Sequence, residues 1–246
     1  MSKKQKRLII WLSIALAFGI IFIGCAVYVG IYYEADMETV DAFLSTQTVA
    51  KEEGDGFTAF IPNSEVKTGF IFYPGGKVDD KAYYPLMHTL AEYGILSIVA
   101  EMPFRLAVLD SNSAMDIKDS YPEIKSWYIG GHSLGGAMAA ACTYKNENEF
   151  KGLVLLGAYS TKDISEKNVA VLSIYGTLDG VMNFEKYEKC LSNMPRAFTE
   201  FVIEGGNHAY FGAYGEQKGD KDAKISNAEQ IYVTAGQIVS FISLHG

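Results

Sequence analysis

The run Trp127-Tyr128-Ile129-Gly130-Gly131-His132-Ser133-Leu134-Gly135-Gly136 constrains the fold of this chain more than any other stretch. A short apolar segment stops at two glycines, presents one serine, and restarts as the small-residue segment Gly136-Ala137-Met138-Ala139-Ala140-Ala141. The pattern predicts a buried strand, a sharp turn and a helix packed close to a sheet. At such a turn the serine backbone is strained, and bulk two residues before or after it would strike the neighbouring strand or helix. Gly131 and Gly135 carry no such bulk. The turn would lift the Ser133 hydroxyl clear of the sheet, with the Leu134 N–H and the positive end of the following helix facing a developing oxyanion. A glycine-rich turn without chemistry would satisfy the same pentapeptide, so its surroundings must decide.

The N-terminus carries a second constraint. Lys3, Lys4, Lys6 and Arg7 precede residues 8–33, which hold no charged side chain. As a helix this stretch would be about 39 Å long, enough to cross a hydrocarbon layer of about 30 Å with some tilt. A transmembrane helix is therefore expected. Glu34, Asp36, Glu38 and Asp41 follow it, so the positive-inside rule places the N-terminus in the cytoplasm and the rest of the protein outside it. Cleavage near Gly24-Cys25-Ala26 would instead make the leader a signal sequence and the product secreted. Ile23-Gly24-Cys25 also weakly resembles a bacterial lipid-attachment site, with Phe22 where leucine is usual. The expected division is 1–33 as basic tip and anchor or signal, and 34–246 as one domain.

With 49% hydrophobic and 20% charged residues, the 246-residue chain can build a substantial core. Without the four basic residues of the leader, 17 Lys and Arg face 29 Asp and Glu, a balance of −12. Such a surface repels polyanions, which argues against nucleic acid as a partner. Cys25, Cys142 and Cys190 form no recognisable disulfide framework.

Taken in order, residues 36–45 read as a short helix or spacer. Residues 48–53 and 57–61 read as a hairpin closed by the three-residue loop Gly54-Asp55-Gly56. The nearly continuous apolar run 68–73 predicts a strand buried on both faces, ending in Pro74-Gly75-Gly76. Residues 83–93 have helical spacing and Gly94 closes them. Further strands are expected at 95–100, 126–129, 153–156, 169–175 and 199–203, and helices at 113–125, 184–193 and 225–244. The alternation argues for a mostly parallel sheet covered by helices on both faces. Residues 212–222, rich in glycine and charge, read as a mobile surface loop.

A serine hydroxyl needs a base, and the chain has four histidines. His88 falls inside a helix away from the strand ends, His132 is directed away from the hydroxyl by its place beside Ser133, and His245 is next to the terminus. His208 remains. Glu204-Gly205-Gly206-Asn207-His208 follows a strand directly, where a loop can carry the imidazole over the carboxyl edge of the sheet. The base in turn needs an acceptor, and Tyr175-Gly176-Thr177-Leu178-Asp179 places Asp179 just past the preceding strand. A turn or cap role for Asp179, or a neighbouring acid as the partner of His208, stays open.

The order Ser133, Asp179, His208 is that of the α/β-hydrolases. On Tyr73-Pro74-Gly75-Gly76, Gly131-His132-Ser133-Leu134-Gly135, Gly176-Thr177-Leu178-Asp179 and Gly205-Gly206-Asn207-His208, the chain from about residue 34 onward resembles compact esterase-like and dienelactone-hydrolase-like members of that superfamily. It departs from the dienelactone hydrolases proper in having serine where they have cysteine, so their substrate does not carry over. Pro74-Gly75 stands where many relatives have His-Gly.

The resemblance implies an α/β-hydrolase fold and cleavage of ester-type acyl bonds through an acyl-enzyme, with Ser133, His208 and Asp179 catalytic. The oxyanion donors would be the N–H groups of Leu134 and of Gly76, or of Lys77 if the loop is shifted by one. Phe104, Arg105, Tyr159 and Tyr210 are expected along the same edge as substrate-binding candidates, with Lys77 beside them; Arg105 would attract a carboxylate or sit in a surface salt bridge. No large lid insertion is visible, and the chemistry calls for no metal or organic cofactor. A small-molecule or acyl substrate and, through the N-terminal helix, the membrane are the expected partners. Acyl transfer, thioester or peptide cleavage would use the same residues. A catalytically silent hydrolase fold at the cell surface is the alternative of another class.

Overall fold

The computed structural model describes residues 2–45 and 48–246, and the chain divides into two units, Met1–Tyr32 and Tyr33–Gly246. In the first, α1 (Lys3–Gly30) starts at a capping box in which the Ser2 hydroxyl accepts from the Gln5 N–H and Gln5 Oε1 accepts from the Ser2 N–H. None of its residues is buried, and it is long and apolar enough to be a candidate membrane span; a signal sequence meets the same description.

The second unit is built on a sheet whose strands are β1 (Val49–Gly54), β2 (Phe57–Pro62), β3 (Thr68–Tyr73), β4 (Leu96–Ala100), β5 (Ser126–His132), β6 (Gly152–Leu156), β7 (Ala170–Gly176) and β8 (Phe198–Ile203). Their order is β1-β2-β4-β3-β5-β6-β7-β8. β1 and β2 pair antiparallel with their neighbours and β3 to β8 run parallel, so the carboxyl ends of these six strands share one edge.

Side chains alternate across this sheet as the pleat requires. Phe70, Phe72, Val154, Leu156, Leu172 and Ile174 point into one core, shared with α3 (Tyr84–Glu92) and the closing helix Asn227–His245. Ile71, Tyr73, Ile129, Leu153, Leu155 and Val171 point into the other, shared with Ser113–Asp119 and Leu134–Lys145. In chain order the helices are α1, α2 (Met37–Phe43), α3, α4 (Ser113–Asp119), α5 (Leu134–Lys145), α6 (Phe184–Cys190) and α7 (Asn227–His245).

Three sequence expectations change. The hairpin loop has two residues, because Gly54 stays in the ladder opposite Phe57, whose ring covers the space a Cβ would need. The helix expected over 113–125 stops at Asp119, and the chain turns through Pro122 into β5. Residues 212–222, expected as a mobile surface loop, are exposed at Gly215, Glu216, Lys218, Gly219, Lys221 and Asp222, but Ala213 and Tyr214 are buried and Asp220 is hydrogen-bonded to the loops after β7 and β8.

Asp80 opens the 3-10 turn Asp80–Tyr83 ahead of α3. Burial, then Asp79 and Glu101, push its carboxyl up to about 6. A carboxyl raised in the folded state stabilises most when protonated: the contribution is complete below the unfolded value and is lost as pH rises through the folded one. Asp80→Asn is therefore expected to raise the unfolding temperature at about pH 7.5 and to lose that advantage towards about pH 4. A calorimetric gain equal at both pH values would refute the cause.

Candidate active site

Ser133 stands between β5 and α5 with φ 52° and ψ −118°, a conformation that side-chain-bearing residues rarely adopt. Two backbone bonds hold it there. Its N–H donates to the Leu156 carbonyl (2.9 Å), and its own carbonyl accepts from Ala137 in the first turn of α5 (3.2 Å). The crossing is close enough that a Cβ on Gly135 would fall on the carbonyl oxygens of Tyr73 and Pro74. That contact is the physical reason for a glycine at this place in the pentapeptide.

Asp179 and His208 meet beside it. His208 Nδ1 lies 2.8 Å from Asp179 Oδ2, and the two side chains are 1% and 0% exposed. The other carboxylate oxygen, Oδ1, accepts from the N–H groups of Val181 (2.9 Å) and Met182 (2.8 Å). Each oxygen thus has a separate task, which fixes the carboxylate plane against the imidazole. Gly157, at the end of β6 with φ 52°, leaves room for the pair; a Cβ there would lie 2.9 Å from His208 Nδ1.

His208 Nε2 is buried and has no hydrogen-bond partner among the described residues, so no bond joins it to Ser133 Oγ. Both residues line one cavity of about 320 Å³, together with Leu134, Ala137, Met138, Ala158, Tyr159, Val181, Met182, Thr161 and Asn183. Among the described residues no Lys, Arg, Asp or Glu lines it.

The loops carrying this pair are pinned from outside the cavity. The Asp220 carboxylate accepts from the N–H of Gly180 (2.9 Å) and of Ala209 (2.8 Å), the residues immediately after Asp179 and His208. Buried Gln230 on α7 pairs with the Asn207 backbone, accepting from its N–H (3.0 Å) and donating to its carbonyl (2.8 Å).

Beneath His208 lies His132, ring centroids 4.4 Å apart. The Tyr83 hydroxyl accepts from the Gly75 N–H (3.0 Å) and is hydrogen-bonded to His132 Nδ1 (2.8 Å). Burial, and then the neighbouring His208, hold the His132 imidazole well below its ordinary value. His132 is thus neutral at pH 7, and it does not present a second cation against His208.

Opposite Ser133 the two candidate amides of the β3 loop separate clearly. The Lys77 N–H donates to the Arg105 carbonyl (2.9 Å), whereas the Gly76 N–H makes no hydrogen bond among the described residues. Gly76 also packs on the Leu134 side chain, 2.9 Å from where its Cβ would be, and Leu134 is the first residue of α5, whose N–H has no acceptor in its own helix. Of the side chains expected to meet substrate, Tyr159 lines the cavity. Lys77, Phe104, Arg105 and Tyr210 do not; Tyr210 borders a separate hollow with Asn207 and Glu216.

Residues 69–232 match the alpha/beta hydrolase family. The chain belongs to that family. Two solved structures share the fold of this alpha/beta hydrolase. One is a predicted CIB-like hydrolase from Thermoplasma acidophilum, 14% identical with a TM-score of 0.58, covering 78% of this chain and 98% of that one. The other is Est1E from Butyrivibrio proteoclasticus, 14% identical with a TM-score of 0.57, covering 81% and 99%. None of the curated proteins matches the chain in sequence. Sequence reading set His132 aside as a base without placing it beneath His208, and it missed Asp220, Gln230, Tyr83 and Gly157. Gln230 alone left a trace, as an uncharged polar residue on the apolar side of the closing helix.

Proposed function

We propose that this alpha/beta hydrolase is a serine hydrolase of carboxylic esters that works through an acyl-enzyme. Ser133 Oγ attacks the ester carbonyl while His208 Nε2 takes its proton. The same nitrogen returns the proton to the leaving alcohol and then activates the water that releases the acid. Asp179 keeps the His208 proton on Nδ1 and steadies the imidazolium. The N–H groups of Leu134 and Gly76 hold the oxyanion, each worth about 3 kcal/mol in the transition state. Neutral His132 beneath His208 adds no charge to oppose that imidazolium.

The observation that carries the reading is the buried Asp179–His208 pair, which lines the same uncharged cavity as Ser133 through His208 and leaves the second imidazole nitrogen without a hydrogen-bond partner among the described residues. That lining suits a neutral acyl group. Fluorophosphonate labelling followed by intact mass is expected to give a single adduct, absent from Ser133→Ala. A folded parent that takes no adduct would favour the non-catalytic binding module. For localisation, the reading is a retained α1 with its basic end in the cytoplasm and residues 34–246 outside, which protease accessibility in intact cells would test.

A further inference from the structure

The second unit receives the chain at its catalytic edge. Tyr33 forms a parallel bridge with Val78; its N–H donates to the Lys77 carbonyl (2.8 Å) and its carbonyl accepts from Asp79 (2.9 Å). These partners directly follow Gly76. The Lys77 N–H in turn donates to the Arg105 carbonyl (2.9 Å), which ties the segment after β4 to the same place. That segment holds Phe104 and Arg105 at φ 53° and 59°, and it exposes Phe104, Val108 and Leu109 at 63%, 56% and 57%. Its turn Ala107–Leu109 packs on α5, whose first residues line the cavity over Ser133. Three large apolar side chains within six residues are thus left in solvent beside the site, a costly display for a surface that meets only water.

In sequence, Ile31 and Tyr32 alone separate Gly30, where the apolar helix ends, from Tyr33. A span kept in the membrane therefore holds Tyr33 to the bilayer by a link of at most about 10 Å. The balance of −12 outside the leader gives no attraction to anionic lipid, so any hold on the surface must come from that link and from apolar side chains.

We infer that the carboxyl edge of the sheet faces the bilayer, with Phe104, Val108 and Leu109 entering its headgroup boundary, and that the substrate is an uncharged lipid ester taken from that layer. The inference rests on the ester-hydrolase reading above and on a retained span. The uncharged cavity accepts the acyl chain, and the polar part of the lipid stays at the aqueous side.

The test uses the full chain reconstituted in phosphatidylcholine vesicles, with a water-soluble short-chain nitrophenyl ester and a long-chain diacylglycerol held in the same vesicles. Val108→Ser/Leu109→Ser is expected to slow hydrolysis of the embedded ester by about tenfold and to leave the soluble ester within about twofold. Equal effects on both esters, or none on either, would overturn the inference. Hydrolysis of neither ester by the parent would overturn it together with the hydrolase reading, whereas hydrolysis of the soluble ester alone would overturn only the lipid substrate. Independently of activity, brominated lipid should quench the emission added by Leu109→Trp, and an unquenched increment would show that this edge does not meet the bilayer.

Discussion

Asp179→Asn is expected to lower kcat on a soluble ester by about 10⁴-fold with little change in KM or in stability. The reason lies in how the carboxylate is shared. Oδ1 accepts from two backbone amides, Val181 and Met182, which an amide NH2 group cannot replace because it would face their N–H groups donor to donor. The asparagine oxygen must take that side, and its NH2 is left pointing at His208 Nδ1. The imidazole then accepts at Nδ1 and carries its proton on Nε2, the nitrogen that should receive the Ser133 proton. Shape and packing survive, since the side chain is isosteric and the surrounding hydrogen bonds on Oδ1 persist. Activity within about tenfold of the parent would mean that another group orients His208.

The parts of this site that were legible in the sequence are those set by local geometry. Gly131 and Gly135 flank Ser133 because a strand and a helix meet there, and a close approach of backbone to backbone leaves its mark as glycine spacing. Strand ends are also local, so apolar runs followed by Asp179 and by His208 were enough to bring both to one edge. The alternation of β3 to β8 with helices was readable for the same reason, and the family match over residues 69–232 agrees with it. What escaped depends on tertiary neighbours. Asp220 sits in a tract of glycine and charge that reads as solvent-facing, yet its two oxygens fasten the loops behind Asp179 and His208. The choice between Gly76 and Lys77 turns on one carbonyl, that of Arg105, nearly thirty residues away. Sharing an edge was also too coarse a criterion for substrate contact: Phe104, Arg105 and Tyr210 follow strand ends on that edge but do not line the cavity that Tyr159 lines.

Ser133→Ala and Ser133→Gly are both expected to lower kcat by at least about 10⁵-fold, since each removes the hydroxyl, but they should differ in stability. At φ 52° and ψ −118° a Cβ is strained, a cost of order 1–3 kcal/mol that alanine keeps and glycine releases. Glycine loses more backbone freedom on folding, about 0.5–1 kcal/mol, which offsets part of the release. The net gain of Ser133→Gly over Ser133→Ala is about 1 kcal/mol, or roughly 2–4 °C in unfolding temperature for a domain of this size. Equal unfolding temperatures would show that the turn stores no strain at this residue. A measured difference would put a value on what the fold gives up to aim one oxygen away from the sheet. In the proposed attack that oxygen lies in front of His208 and at the start of α5 at once, and the strained backbone at Ser133 is what such a placement would cost.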